Sequence, residues 1–445
     1  MMTEGSDQRE LGASFLDPVV QDDPFDVYAR MHHTCPVHRL PENGLYMVTT
    51  YDDVRTVLTD PPTFSSRPSG GAGGANEAAA AHAKVFAERG WVRSRTLQRT
   101  DPPVHTRYRK LLGRVFTNRR VEAMVPRLDE ITNDLIDGFI DRGECEFISE
   151  FALPLPGIFI CEQLGLPASE YETFKKWADA MLAMSQRLLT VDEAIEQAEI
   201  ELEAQHHLAR EFERRRDDPR DDLISALVHA HEGDDGLIDD PLTVEELQDL
   251  MHQLVTGGFE TTTAALGTAM WLLLRYPDQM QKLRADRSLQ RNFIEESLRF
   301  DSPVAGLWRT TTCPVQLGGV DIPEDAQVMA RFAAANRDAT VFEDPAVFDL
   351  TRDNANHHLA CGVGHHFCIG AALARAELQA ACGALLDRLD DIELAEPLDA
   401  QPHEFSFFLR PLKRLPLTFK RSTADTVSPS EARCCLLYTS DAADD

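Results

Sequence analysis

Between about residues 120 and 300, apolar side chains recur three and four apart, in RLDEITNDLIDGFIDRG, EAIEQAEIELEAQHHLAREFERRR and LTVEELQDLMHQLVTGGFETTTAALGTAMWLLLRYP. This spacing lines one face of a helix and does not fit the alternation of a half-buried strand, so the body of the chain is expected to be helical. Strand signals are few. PVQLGGVDIPEDAQVMARFAAANRD (314–338) has a short alternating run, a Gly-Gly turn and a Pro, and FSFFLRPLKRLPLTF suggests a second hairpin near the end. The fold class is therefore mainly α with a small β portion, placed late in the chain.

Hydrophobic residues make up 43% and charged residues 27% of the 445, the balance of a globular protein. The first thirty residues hold no apolar run suited to a signal peptide, and no stretch reaches about 18 uninterrupted apolar residues, so no membrane anchor is expected and a cytoplasmic location is. The nine cysteines lack regular spacing and read as free thiols in a reducing compartment. With 74 acidic against 44 basic residues the surface should repel nucleic acid. One cluster runs against this balance: HTRYRKLLGRVFTNRR (105–120) carries Arg107, Arg109, Lys110, Arg114, Arg119 and Arg120 with no acid among them.

SSRPSGGAGGANEAAAAHAK (65–84) reads as a mobile loop with one short helix. Residues 1–14 read as a flexible N-terminus and 15–420 as one large domain. Residues 421–445 lack periodicity and look like a disordered or non-native tail.

The stretch HLACGVGHHFCIGAALARAE (358–377) sets Cys361 and Cys368 ahead of an alanine-rich, helix-favouring run. Cys368 has three readings: a buried structural cysteine, a zinc ligand, or a thiolate ligand to haem iron. A buried thiol is the commonest use of a free cysteine. Zinc asks for four ligands at short spacings, and Cys361, Cys368 and His365 or His366 give a wide gap and no second pair. The haem reading accounts for more of the neighbourhood. Gly364 and Gly370 bracket the cysteine where a backbone would approach a flat ring and turn, and a helix N-terminus just after it favours the thiolate.

GVGHHFCIGAALARAE resembles the haem-binding loop of the cytochrome P-450 monooxygenases, F-x-x-G-x-x-x-C-x-G, matching at Gly364, Cys368 and Gly370. Cys361 departs from it, standing where the family has Phe. Further motifs follow in the family's order. TGGFETTT (256–263) is similar to the oxygen-activating segment (A/G)-G-x-(D/E)-T-T at Gly257, Gly258, Glu260, Thr261 and Thr262. Two glycines inside a helix cost about 1 kcal/mol each relative to alanine, so something lies close to the backbone there, or helices pack tightly. EESLR with FDLTR supplies Glu296, Arg299 and Arg352, which in the family form a buried ion network. Taken alone, Glu296 and Arg299 read as an exposed helix pair. DPPVHTRYRK offers His105 and Arg109, GLWRTTT offers Arg309 and the loop itself His366, as partners for haem propionates.

The resemblance spans roughly residues 15 to 420 and implies a single, triangular-prism-like domain enclosing haem b. It implies Cys368 as the iron ligand and Glu260 with Thr261 as the groups that position and relay protons, Thr262 being the lesser partner. The implied reaction inserts one atom of dioxygen into an organic molecule, with electrons drawn from NAD(P)H through a separate ferredoxin or flavodoxin and its reductase. Arg107, Lys110 and Arg114 are expected to help dock that donor. Val304, Ala305, Leu307, Leu254 and Phe259 suggest an apolar pocket for a terpenoid, steroid, fatty or aromatic compound. A peroxide-driven oxygenase, or an isomerase or dehydratase on the same haem, remains the alternative, against which Glu260 and Thr261 count.

Overall fold

The computed structural model describes residues 14–15, 17–41, 43–67, 76–92, 94–230, 241–399 and 402–423. The readings made for the first thirteen residues, for 68–75 and for the tail from 424 lie outside these.

Helices start where a side chain accepts from their first free N–H groups. Thr117 caps Asn118–Asp137 by accepting from Arg120 N. Thr190 and Thr243 each form a reciprocal capping box with the Glu three residues on, Glu193 and Glu246, and open the helices Val191–Asp217 and Val244–Gly258. A second helix, Glu260–Arg275, follows after a break at Phe259 (φ −95°, ψ −71°). Asn118–Asp137, Glu260–Arg275, Gln290–Phe300 and Ala371–Arg388 converge on the largest apolar core, where Leu128, Leu266, Leu272, Ile294 and Leu385 are buried. Each such side chain contributes about 1.5–3 kcal/mol by leaving water. The buried positions of Ala371–Arg388 include Ala380, Ala381 and Ala384, side chains small enough to let it lie close along Asn118–Asp137.

The strands are short: β1 (Val37–Arg39), β2 (Tyr46–Val48), β3 (Phe64–Ser65), β4 (Glu144–Glu146), β5 (Leu307–Thr311), β6 (Val315–Leu317), β7 (Val320–Ile322), β8 (Gln327–Ala330), β9 (Leu389–Leu394) and β10 (Pro416–Arg421). One sheet runs β1-β2-β8-β5-β3, antiparallel except between β2 and β8. The expected late sheet is thus only part of the β structure, since β1 to β4 lie in the first third of the chain; two or three residues are too few for a readable alternation. The first expected hairpin is β6–β7, turning at Gly318 and Gly319 with φ of +54° and +79°, a conformation that favours glycine. The second is not a simple hairpin. β10 pairs with β9 and β4, while residues 402–413 are joined by the single bridge His403–Leu412.

Glu296 and Arg299 are fully buried rather than exposed. Arg299 Nε and Nη2 donate to the two Glu296 oxygens at 2.6 and 2.8 Å, and Arg352 Nε donates to Glu296 at 3.2 Å. Both arginines also donate to Val347 O, so one carboxylate ties the Gln290–Phe300 helix to the segment leading into the cysteine loop. Glu296→Ala strands two guanidiniums in the interior, and a loss of about 3–5 kcal/mol is expected, read from the denaturation midpoint against the parent protein.

Candidate active site

The loop carrying Cys368 leaves the body at Leu359, whose N–H donates to Asn336 Oδ1 at 2.7 Å. Glu295, next to Glu296, holds the other side. Arg375 donates to it twice, at 2.6 and 2.8 Å, and His358 lies 3.0 Å away. Burial pushes the Glu295 carboxyl up, but the Arg375 and His358 hydrogen bonds outweigh it and bring it down to about 2. His358 Nδ1 accepts from Ala360 N at 3.1 Å. Gly362 and Gly364 then turn the chain with φ of +68° and +74°. Gly370 has an ordinary φ of −88° at the start of Ala371–Arg388; a side chain there would meet nothing within 4 Å, so open space and not backbone freedom distinguishes it.

Cys368 N donates to Cys361 O at 2.8 Å, closing the loop, and the Cys368 thiol is exposed. It is held below the ordinary thiol range, first by a hydrogen bond with Cys361 and, against the opposing effect of burial, by Gly370 N–H and the charges of Arg109 and Arg375. The Cys361 thiol is pushed up in turn.

Four cationic or donor side chains collect beside it. His105 and His366 stand with ring centroids 4.4 Å apart; His366 Nε2 lies 2.9 Å from Ser66 Oγ, and Arg109 Nη1 donates to Phe367 O at 2.6 Å. Arg309 on β5 is 4% exposed and donates from Nη1 to Trp308 O. Both ring nitrogens of His105, and Nη2 of Arg309, are buried with no hydrogen-bond partner. Burial lowers His105 to about 4 and His366 to about 3, both helped by neighbouring positive charge, and lowers Arg309 to about 10 against the pull of Asp101. Such a concentration of unsatisfied donors is costly unless an anion meets them. A thiol held below its ordinary range beside buried, unpartnered donors fits haem b, whose iron would take the sulfur and whose propionates would meet the donors. Among the described residues no three His, Cys, Asp or Glu side chains converge as a metal cage of their own.

Across the cleft the break at Phe259 turns two neighbours in different directions. Thr261 Oγ1 donates to Gly257 O at 2.5 Å. A Cβ at Gly257 would meet nothing within 4 Å, whereas at Gly258 it would touch Ile160 at 3.8 Å, so Gly257 borders open space and Gly258 faces protein. Glu260 is buried, with Lys175 Nζ at 3.6 Å. Burial raises its carboxyl to about 7 against the pull of Lys175. Glu260 and Thr261 are adjacent, yet no hydrogen bond between their side chains is found among the described residues. The pocket expectation holds less well: Phe259 and Leu254 are buried in one apolar core and Ala305 in another, while Val304 and Leu307 are only partly buried.

Sequence reasoning missed the Glu295, His358 and Arg375 brace, Lys175, and Glu377, which is buried with Thr262 Oγ1 donating to its Oε2 at 3.3 Å. A lone acid on an alanine-rich helix face was the available signal for Glu377. Burial raises it from 4.5 to about 8. The folded protein then holds a proton that the unfolded chain releases, so the contribution of this group to stability falls as pH rises from about 4.5 to about 8 and is flat above. Glu377→Gln, neutral throughout, should reduce that slope in thermal melts taken across this range.

Comparison with known proteins agrees with the geometry. The sequence profile of the family described as Cytochrome P-450 matches residues 171–417. Cytochrome P-450 107B1 of Saccharopolyspora erythraea is 40% identical over 410 residues, covering 90% of this chain and 96% of its own. The 6-deoxyerythronolide B hydroxylase of the same organism is 35% identical over 407 residues, covering 90% and 98%. The structure of cytochrome P-450 CYP109Q5 from Chondromyces apiculatus superposes with a TM-score of 0.78 at 33% identity, covering 92% of this chain and 98% of that one. Among the described residues no helix is long and apolar enough to cross a membrane. The chain therefore belongs to the cytochrome P-450 family of haem b monooxygenases.

Proposed function

We propose that the chain hydroxylates a hydrophobic small molecule with dioxygen, using electrons from a separate donor. The observation that carries this is the helix break that sets the Thr261 hydroxyl on the carbonyl of Gly257, a residue bordering open space. Cys368 would supply the sulfur of a thiolate-bound haem, and His105, Arg109, Arg309 and His366 would hold its propionates; such a haem would supply the electron push needed to cleave an O–O bond. Thr261 holds its proton on Oγ1, ready to exchange the Gly257 carbonyl for another acceptor. Glu260, raised by burial to about 7, gives and retakes a proton at neutral pH. The relative named for hydroxylating 6-deoxyerythronolide B supports hydroxylation as the reaction, and the apolar Val304 and Leu307 support a weakly polar substrate.

The donor face is the exposed side of the basic helix Val104–Gly113 and the turn after it. Arg107 donates to Glu246 at 2.9 Å, and Lys110 and Arg114 are both exposed; the three supply the docking charge. A ferredoxin or flavodoxin is acidic and suits this face.

With a ferredoxin and its reductase, substrate should trigger NAD(P)H oxidation and oxygen uptake matched by product. Thr261→Ala should keep oxygen uptake while product falls by roughly 10²-fold; full product formation by peroxide alone, with none from NAD(P)H, would instead favour the peroxygenase reading. Separately, Lys110→Glu with Arg114→Glu should slow stopped-flow reduction by the donor and flatten its dependence on salt, and unchanged reduction would remove this face from docking.

A further inference from the structure

The position where this chain departs from its family lies against the ligating sulfur. We propose that in the haem-free chain Cys361 and Cys368 form a disulfide when exposed to peroxide, and that this bond keeps haem out. The second half of the proposal rests on the reading of Cys368 as the iron ligand.

Three observations support it. The Cys368 N–H donates to Cys361 O at 2.8 Å, so the two backbones meet across the loop, as a disulfide requires of the residues it joins. Arg375 Nη1 lies 3.9 Å from Cys361 Sγ, and Arg375 is fixed in turn by Glu295, which keeps the second sulfur in place. Access is graded: Cys368 is exposed and Cys361 half-buried, whereas Cys145, Cys161 and Cys382 are buried. A phenylalanine at 361 offers no such chemistry.

Peroxide oxidises the exposed Cys368 thiol to a sulfenic acid, releasing one water as its O–O bond breaks. The Cys361 sulfur then attacks the Cys368 sulfur, the S–O bond breaks, and the hydroxyl leaves with the Cys361 proton as a second water. The two electrons lost by the thiols have reduced one hydrogen peroxide. A sulfur so bonded has no thiolate to give to iron until a dithiol restores it, whereas a sulfur already on iron is shielded from Cys361. Haem and the disulfide exclude each other.

The test uses the full chain produced without haem and treated with hydrogen peroxide. One tryptic peptide, 353–375, holds both cysteines. It should become lighter by two hydrogens, haemin added afterwards should give Soret absorbance reduced in proportion to the disulfide fraction, and dithiothreitol should restore both. Cys361→Ser should take up haem when untreated, and under peroxide its peptide should gain oxygen at Cys368 instead of losing hydrogen. A wild-type peptide that keeps its mass, or gains oxygen at Cys368 while Cys361 stays open to alkylation, overturns the disulfide and leaves the ligand reading standing. A disulfide that forms without lowering haem uptake overturns the exclusion and the ligand reading together.

Discussion

A loop that must present a thiol to a cofactor cannot be held by burying that thiol, and here two neighbouring carboxylates hold it instead. Glu296 takes Arg299 and Arg352 and fixes the approach to the loop, while Glu295 takes Arg375 and His358 and fixes its exit and its base. Both glutamates sit on one helix in the main core, so the loop inherits the rigidity of the best-packed part of the molecule. Removing one partner of a buried ion pair costs far more than the pair contributes. The geometry of Cys368 therefore depends on charges placed on either side of it.

The cleft has a different electrostatic character on each side. Near the cysteine, donors crowd together and burial disfavours their charged forms; an arriving dianion reverses that balance, so binding and protonation are coupled. On the Thr261 side burial acts on acids, and Glu260 and Glu377 are both raised toward or past neutrality. Burial thus leaves proton-bearing carboxyls at Glu260 and Glu377 and proton-poor imidazoles at His105 and His366.

Much of this was legible because it is written in local spacing. The Gly-Gly turn of β6–β7 and the cysteine ahead of a helix both follow from residues within a few positions of one another. Glu296 and Arg299 show the limit: three apart on a helix, they look like a surface pair, and only the surrounding motifs argued for burial, which the packing bears out. Strands of two or three residues, such as β2 and β3, carry no periodic signal and are fixed by partners far along the chain. Contacts of that range, including Lys175 with Glu260 and Thr262 with Glu377, leave no mark on local pattern. Phe259 was misplaced in the pocket because helical spacing alone does not say which side of a broken helix meets the cavity; its ring packs against Gly157.

Glu246 belongs to two structures at once. Its carboxylate completes the capping box of Val244–Gly258 through Thr243 N, and accepts from Tyr108 and Arg107 on the basic helix. The basic helix and the helix that ends at the Phe259 break are therefore pinned at one carboxylate. A change that removes that carboxylate strips the cap from Val244–Gly258 and the partner from Tyr108 and Arg107 in a single step.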